Sequence, residues 1–132
     1  MERMIIYEPD EKFGSIKKSI LTKNLGLDFY YEKLECTTID IPFLSEELSK
    51  RNIDIIIDDE GKLNNKRPCA VIYDVKNNRF IDYLAGKIMF ASVNDEGKTI
   101  GLTSEQEEYI SSLSYGDVWI NNELCRVLVI KY

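Results

Sequence analysis

The acidic residues Asp54, Asp58, Asp59 and Glu60 lie close together and are the first group whose types could do chemistry. Carboxylates so spaced could hold a cation or act as a general acid and base. The spacing fails the calcium-loop pattern, which needs oxygen ligands at alternate positions and glycine at the sixth. Asp54 and Asp58 share one face of a regular strand, while Asp59 and Glu60 fall in the turn after it. A solvated strand face and turn is the plainer reading. A second group is Tyr73-Asp74 and Asp82-Tyr83, on either side of Asn77-Asn78 and close to Arg79. In an antiparallel hairpin these pairs approach, so Tyr73, Asp74, Arg79 and Asp82 could form a small polar pocket. Ordinary cross-strand pairing explains them more simply. Lys62, Lys66 and Arg67 are the densest basic stretch, but acids surround them and no aromatic run is interleaved, so they are not a nucleic-acid footprint. Asp95, Glu96, Glu105, Glu107, Glu108 and Asp117 face only Lys98 in the sequence. With Asp58, Asp59 and Glu60 they could make one negative face. Such a face serves solubility, or docks on a basic groove that normally takes DNA or RNA.

What the chain lacks removes whole classes of mechanism. There is no histidine in its 132 residues, so Ser-His-Asp, Cys-His and His-based zinc chemistry are excluded. Cys36, Cys69 and Cys125 are far apart, with no C-x-x-C spacing, so no metal site is expected. They read as reduced, buried thiols of a cytosolic protein. No P-loop, G-x-G-x-x-G or G-x-S-x-G is present, and no cofactor is expected. Gly97-x-x-x-Gly101 lies in a polar hairpin, where the membrane-dimer meaning does not apply. The 23 acidic residues outnumber the 17 basic ones, giving a net charge of -6. That balance disfavours phosphate backbones and anionic membranes alike. No run has the length of a signal peptide or a span. The expected location is the cytoplasm of a bacterium.

The elements that must position these residues follow from periodicity. A hydrophobic fraction of 44% supports a true core, and at this length about two thirds of the unfolded surface is buried on folding. Met4 to Tyr7 reads as a strand. Phe13, Ile16, Ile20 and Leu21 recur at helical spacing, which predicts a helix from about Ser15 to Leu25 closed by Gly26. A strand is expected near Lys33 to Ile39. Ser45 with Glu46 and Glu47 signals an N-cap and a short helix to about Arg51. Ile53, Ile55 and Ile57 mark a strand, and Cys69 to Asp74, Phe80 to Leu84 and Lys87 to Val93 mark three more. Asp-Glu-Gly-Lys occurs twice, at 59–62 and 95–98, and reads as one turn used twice with glycine in the left-handed position. Thr103-Ser104-Glu105-Gln106 is a capping box that starts a helix to about Leu113, ended by Gly116. Val118 to Asn121 and Leu124 to Lys131 form a closing hairpin around Asn121-Asn122. Its second strand is apolar on both faces and so reads as central. Trp119 reads as a core anchor. The sum is one α+β domain over residues 1–132: a mainly antiparallel β-sheet of about seven or eight strands with two or three short covering helices.

An ordered set of landmarks carries a family resemblance. Asp59-Glu60-Gly61-Lys62-Leu63-Asn64, the strand ending Ile72-Tyr73-Asp74, then Ile81-Asp82-Tyr83-Leu84-Ala85-Gly86, and Leu102-Thr103-Ser104-Glu105-Gln106 follow in that order. The opening Ile5-Ile6-Tyr7-Glu8-Pro9 fits as well. Together they resemble an uncharacterised domain-of-unknown-function family of bacterial phages and conjugative elements. The resemblance covers about residues 4–110 and leaves the hairpin at 118–132 outside. Relatives often carry Asn-Arg where Cys69-Ala70 stand here. The resemblance implies a phage or mobile-element accessory protein, not an activity.

Three functions are therefore expected as alternatives. The first is a non-enzymatic protein-binding module that inhibits a host defence or nucleic-acid-handling enzyme. It would bind the host protein, one with a basic groove, through Asp58, Asp59, Glu60, Asp95, Glu96, Glu105 and Glu108. The second is a small-ligand binder or enzyme using Tyr73, Asp74, Arg79 and Asp82. The third is a self-assembling structural protein.

Overall fold

The computed structural model describes residues 3–9, 16–22 and 27–132. Among them ten strands and three short helices form an α+β fold. The strands are β1 (Arg3–Pro9), β2 (Ile16–Thr22), β3 (Ile39–Asp40), β4 (Ile53–Asp58), β5 (Pro68–Asp74), β6 (Arg79–Ala85), β7 (Ile88–Val93), β8 (Thr99–Ile100), β9 (Tyr115–Ile120) and β10 (Glu123–Lys131). The helices are α1 (Leu27–Leu34), α2 (Glu46–Ser49) and α3 (Ser104–Ser111). The strands make two sheets. The larger runs β2-β1-β7-β4-β3, with β8 also paired to β7; the smaller runs β6-β5-β10-β9. Every pairing is antiparallel except β5 with β10.

The alternation of side chains across each strand sorts the core into layers. Ile5 and Tyr7 of β1, Ile53 and Ile55 of β4, and Ile88 and Phe90 of β7 face the smaller sheet. They meet Ala70 and Ile72 of β5, Leu84 of β6, and Leu128 and Ile130 of β10. Met4, Ile6, Ile56, Met89 and Ala91 point the other way and are covered by Phe29 and Leu34 of α1. Val71, Cys125, Val127 and Ile120 form a third cluster on the far face of the smaller sheet. Leu48 of α2 and Ile110 of α3 close the central layer.

Two segments depart from the sequence reading. Ile16–Thr22 is a strand, not part of a helix, and pairs with β1 along its whole length. Ile16 and Ile20 are four apart, an even spacing that suits one face of a strand as well as a helix turn. Pairing with the buried β1 decides between them. Ser15, Phe13, Gly26 and the rest of the expected helix beyond Thr22 lie outside the described residues. The strand expected at 33–39 is instead the end of α1 followed by the two-residue β3. The β-branched Thr37, Thr38 and Ile39 there have strand propensity, but Tyr30 and Leu34 share a helix face and pack on the larger sheet.

The caps are as expected. Ser45 Oγ accepts from Leu48 N–H at 3.2 Å. In α3, Thr103 Oγ1 accepts from Gln106 N–H at 3.2 Å, and the Thr103 N–H donates to Gln106 Oε1 at 2.9 Å. The helix ends at Ser112, and Gly116 lies inside β9. β10 is central, between β5 and β9. The doubled turn is not one solution. Gly97 has φ of 79°, but Gly61 does not have positive φ. At Gly61 a Cβ would lie 2.4 Å from the Ala85 carbonyl oxygen, so close backbone approach requires the glycine there.

Candidate functional site

The acids expected to form one face are split by strand order. Asp58 ends β4, and Asp95 and Glu96 follow β7. Because Ile53 pairs with Ser92 and Ile57 with Ile88, these acids lie at opposite ends of the strand pair. The separation along the strands is roughly 20 Å. Asp58 is also not a surface group. Its side chain is 2% exposed, and its Oδ2 is 2.6 Å from Lys66 Nζ. Its Oδ1 accepts from Glu60 N–H at 2.9 Å, and Lys66 also donates to the Glu35 carbonyl at 2.7 Å. Asp58 braces the 59–67 turn. Asp59 is exposed beside it, and Glu60 accepts from the Thr38 hydroxyl at 3.2 Å. Asp54 shares the Asp58 face, and burial raises its carboxyl pKa.

The other acids gather at the opposite end. Gln106 of α3 donates to the Arg51 carbonyl at 2.9 Å and to Ser92 Oγ at 2.9 Å, which pins the start of α3 beside the end of β7. Asp95, Glu96, Glu105 and Glu108 are exposed there. Cations share this end. Lys98 lies 3.6 Å from Glu96, Arg3 is 3.1 Å from Glu107, and Arg51 is 2.7 Å from Glu47.

Of Tyr73, Asp74, Arg79 and Asp82, the hairpin brings Asp74 and Arg79 directly opposite each other, while Asp82 lies farther along β6. Asp74 is turned into its own loop. Its Oδ2 accepts from Asn77 Nδ2 at 2.7 Å, and this hydrogen bond holds the carboxyl below its ordinary pKa. The Tyr73 hydroxyl bonds Asn78 Oδ1. Asp82 lies opposite Ile72, across a register shift from Tyr73, and pairs with Lys62 at 2.5 Å.

The β9–β10 hairpin holds a feature that the sequence reading placed in the core. Trp119 is 73% exposed and Leu124, its direct cross-strand partner, is 53% exposed. Both lie on the face that carries Leu128 and Ile130 into the core, but beyond the part of that face covered by the larger sheet. The tight Asn121-Asn122 turn, with φ of 51° and 65°, sets the register. In a two-residue hairpin the residues flanking the turn exchange hydrogen bonds, and such pairs then alternate. Val129 N–H donates to the Ser114 carbonyl at 2.8 Å, which fixes the same phase. Even-numbered residues of β9 therefore bond to β10. Tyr115, Asp117 and Trp119 turn their backbone groups outward, at the end of the sheet order. β9 itself contains no proline and no lysine, and its register with β10 has no shift. Its one charge, Asp117, lies 3.4 Å from Arg126. The equal spacing of Trp119 and Leu124 about Asn121-Asn122 was legible as a cross-strand pair. Their exposure was not, because it depends on where the opposing sheet ends.

A groove of about 460 Å³ opens beside the same turn. It lies between the 59–67 loop, Tyr83 of β6, and Ile120, Asn121 and Glu123 of the hairpin. The basic stretch Lys62, Lys66 and Arg67 lines it, although these residues are scattered in role. Lys62 sits 4.4 Å from the centre of the Tyr83 ring. Among the described residues, no three His, Cys, Asp or Glu side chains gather as a cation site, and no helix is long and apolar enough to cross a membrane. Cys69 and Cys125 are buried, Cys36 is half-buried, and all three are free thiols.

Two sheets packed face to face, three short helices packed against them and a β9–β10 hairpin at one end of the smaller sheet define an α+β protein. The chain belongs to DUF3846, a domain family of unknown function, whose model matches residues 2–114. Comparison with the curated proteins and with the solved structures finds no match. The matched segment stops just before β9. The hairpin is thus outside the family's shared segment, yet β10 fills the centre of the smaller sheet.

Proposed function

We propose that the protein is a non-enzymatic protein-binding module that takes an extended segment of a partner onto the edge of β9. The single observation that carries this reading is the pairing of outward backbone groups at Tyr115, Asp117 and Trp119 with the exposed Trp119–Leu124 pair. Strand addition uses both: main-chain hydrogen bonds supply affinity, and alternate side chains supply specificity. An exposed tryptophan is the residue type most enriched at the energetic centres of interfaces. The net charge of -6 favours a partner segment that alternates apolar with basic residues, by steering its approach. Asp59, Glu60, Asp95, Glu96, Glu105 and Glu108 contribute to that field from two ends of the molecule, not as one contact face.

In the phage or conjugative-element setting that the sequence resemblance implies, the partner is a host protein in the bacterial cytoplasm. A defence or nucleic-acid-handling enzyme with a basic surface fits the charge. Occupying one of its extended segments would inhibit it.

The test is a displayed library of random peptides selected on the immobilised protein. Enriched peptides should alternate apolar and basic residues. Trp119→Ala and Asp117→Pro should each weaken the best peptide about tenfold or more, since one removes the anchor and the other an outward N–H. Both variants should keep the parent circular dichroism. Peptides that bind both variants as tightly as the parent refute the edge reading. Sedimentation showing a dimer that Asp117→Pro dissociates also refutes it, and assigns the edge to a second copy of the chain.

A further inference from the structure

The groove beside the Asn121-Asn122 turn is independent of the β9 edge: Ile120, Asn121 and Glu123 border it, whereas Trp119 and Leu124 face the other side of the sheet. Its cations are not equivalent. The Lys66 ammonium is held by Asp58 and the Glu35 carbonyl, so Lys66 gives the groove its aliphatic stem. The Lys62 ammonium is paired with Asp82 and seated over Tyr83. Arg67 has no carboxylate partner among the described residues. Arg67 lines the groove together with Ile120, Asn121 and Glu123 of the hairpin. A guanidinium with no carboxylate partner among the described residues, in a concave site, is a fork for an oxyanion, and phosphate matches its geometry with two parallel hydrogen bonds.

The remaining walls suit a flat, partly polar body next to that anion. Pro68 and Ile120 are apolar surfaces, Asn65 presents a side-chain amide, and the Asn121 amide donates to the Tyr83 hydroxyl at 3.4 Å. Asn65 and Asn121 both hold positive φ, with values of 54° and 51°, so their turns are set by the backbone before any ligand arrives. The volume falls within the range of small-molecule sites. The overall charge of -6 opposes a long polyanion and leaves a small one as the fitting class.

The geometry points to a binding site for a phosphate-bearing small molecule of mononucleotide size, with its phosphate on Arg67 and its flat ring against Pro68 and Ile120.

The experiment is a nitrogen-15 NMR titration of the full chain with adenosine monophosphate, inorganic phosphate and adenosine as separate probes. Adenosine monophosphate should shift the amides of Lys62, Arg67 and Asn121 along one saturating curve. Adenosine should bind about tenfold or more weakly, since it lacks the charged partner of the guanidinium. Arg67→Ala should weaken the nucleotide by a similar factor. Arg67→Lys should fall between, because it keeps charge and loses the fork. Binding of the nucleotide no tighter than inorganic phosphate overturns the assignment of a mononucleotide. Shifts that do not saturate, or that both Arg67 variants leave unchanged while staying folded, overturn the site itself. Neither result bears on peptide binding at β9.

Discussion

Leu128 and Trp119 occupy one face of one hairpin, and the structure assigns them opposite roles. Leu128 is fully buried, pairing with Ala70 on one side and Tyr115 on the other. Leu128→Ala removes the side chain's transfer free energy and leaves a cavity between two sheets that cannot close around it. The expected cost is about 3 kcal/mol. In a chain of this size each kcal/mol lowers the thermal midpoint by about 3–5 °C, so the variant should melt roughly 10 °C below the parent. Trp119 is mostly in solvent, so Trp119→Ala loses only its contact with Leu124, about 0.5 kcal/mol, or a shift of roughly 2 °C. Far-UV circular dichroism melts of both variants measure the difference without relying on the tryptophan signal. Equal, large drops would falsify the exposed placement of Trp119, and with it the anchor on which the proposed binding edge rests. A small drop for Leu128→Ala would remove β10 from the core instead.

Two other substitutions test local parts of the same argument. Gly61→Ala forces a Cβ against the Ala85 carbonyl oxygen at 2.4 Å and should cost about 2 kcal/mol or more, whereas Gly97→Ala meets no atom and should cost only about 1 kcal/mol of left-handed strain; urea melts showing equal losses would contradict the two different reasons for glycine. Asp74 has its folded pKa depressed by its hydrogen bonds to Asn77, so its contribution is present above the unfolded carboxyl pKa and is lost as pH falls through the folded one; Asp74→Asn should flatten the stability profile of the parent on the acid side, and an unchanged slope would show that the carboxylate is not held.

The sequence and the structure divide the molecule along a physical line. Local signals survived folding because their energies are local. The Thr103–Gln106 capping box, the Ser45 cap and the Asn121-Asn122 turn each satisfy backbone groups within a few residues, and each is where the sequence put it. The α+β class and the central place of β10 were also legible, since a strand apolar on both faces must be covered on both. The family landmarks were legible as ordered turns and strand ends, and the match at 2–114 covers them. The candidate sites were not. Whether Asp58 and Asp95 share a face depends on β4 and β7 running antiparallel, which pairs residues 31 to 39 positions apart and places these acids at opposite ends. The segment 16–22 had an apolar spacing common to helix and strand, and only the neighbouring β1 selects between them. Trp119 looks like any core aromatic until the extent of the opposing sheet is known. Lys62 and Arg67 become a groove only when the Asn121 turn folds over them. Amino-acid type and near neighbours determined the caps, turns and strand faces of this protein. Strand order and the reach of one sheet over another decided what is buried, what is exposed and what stands together.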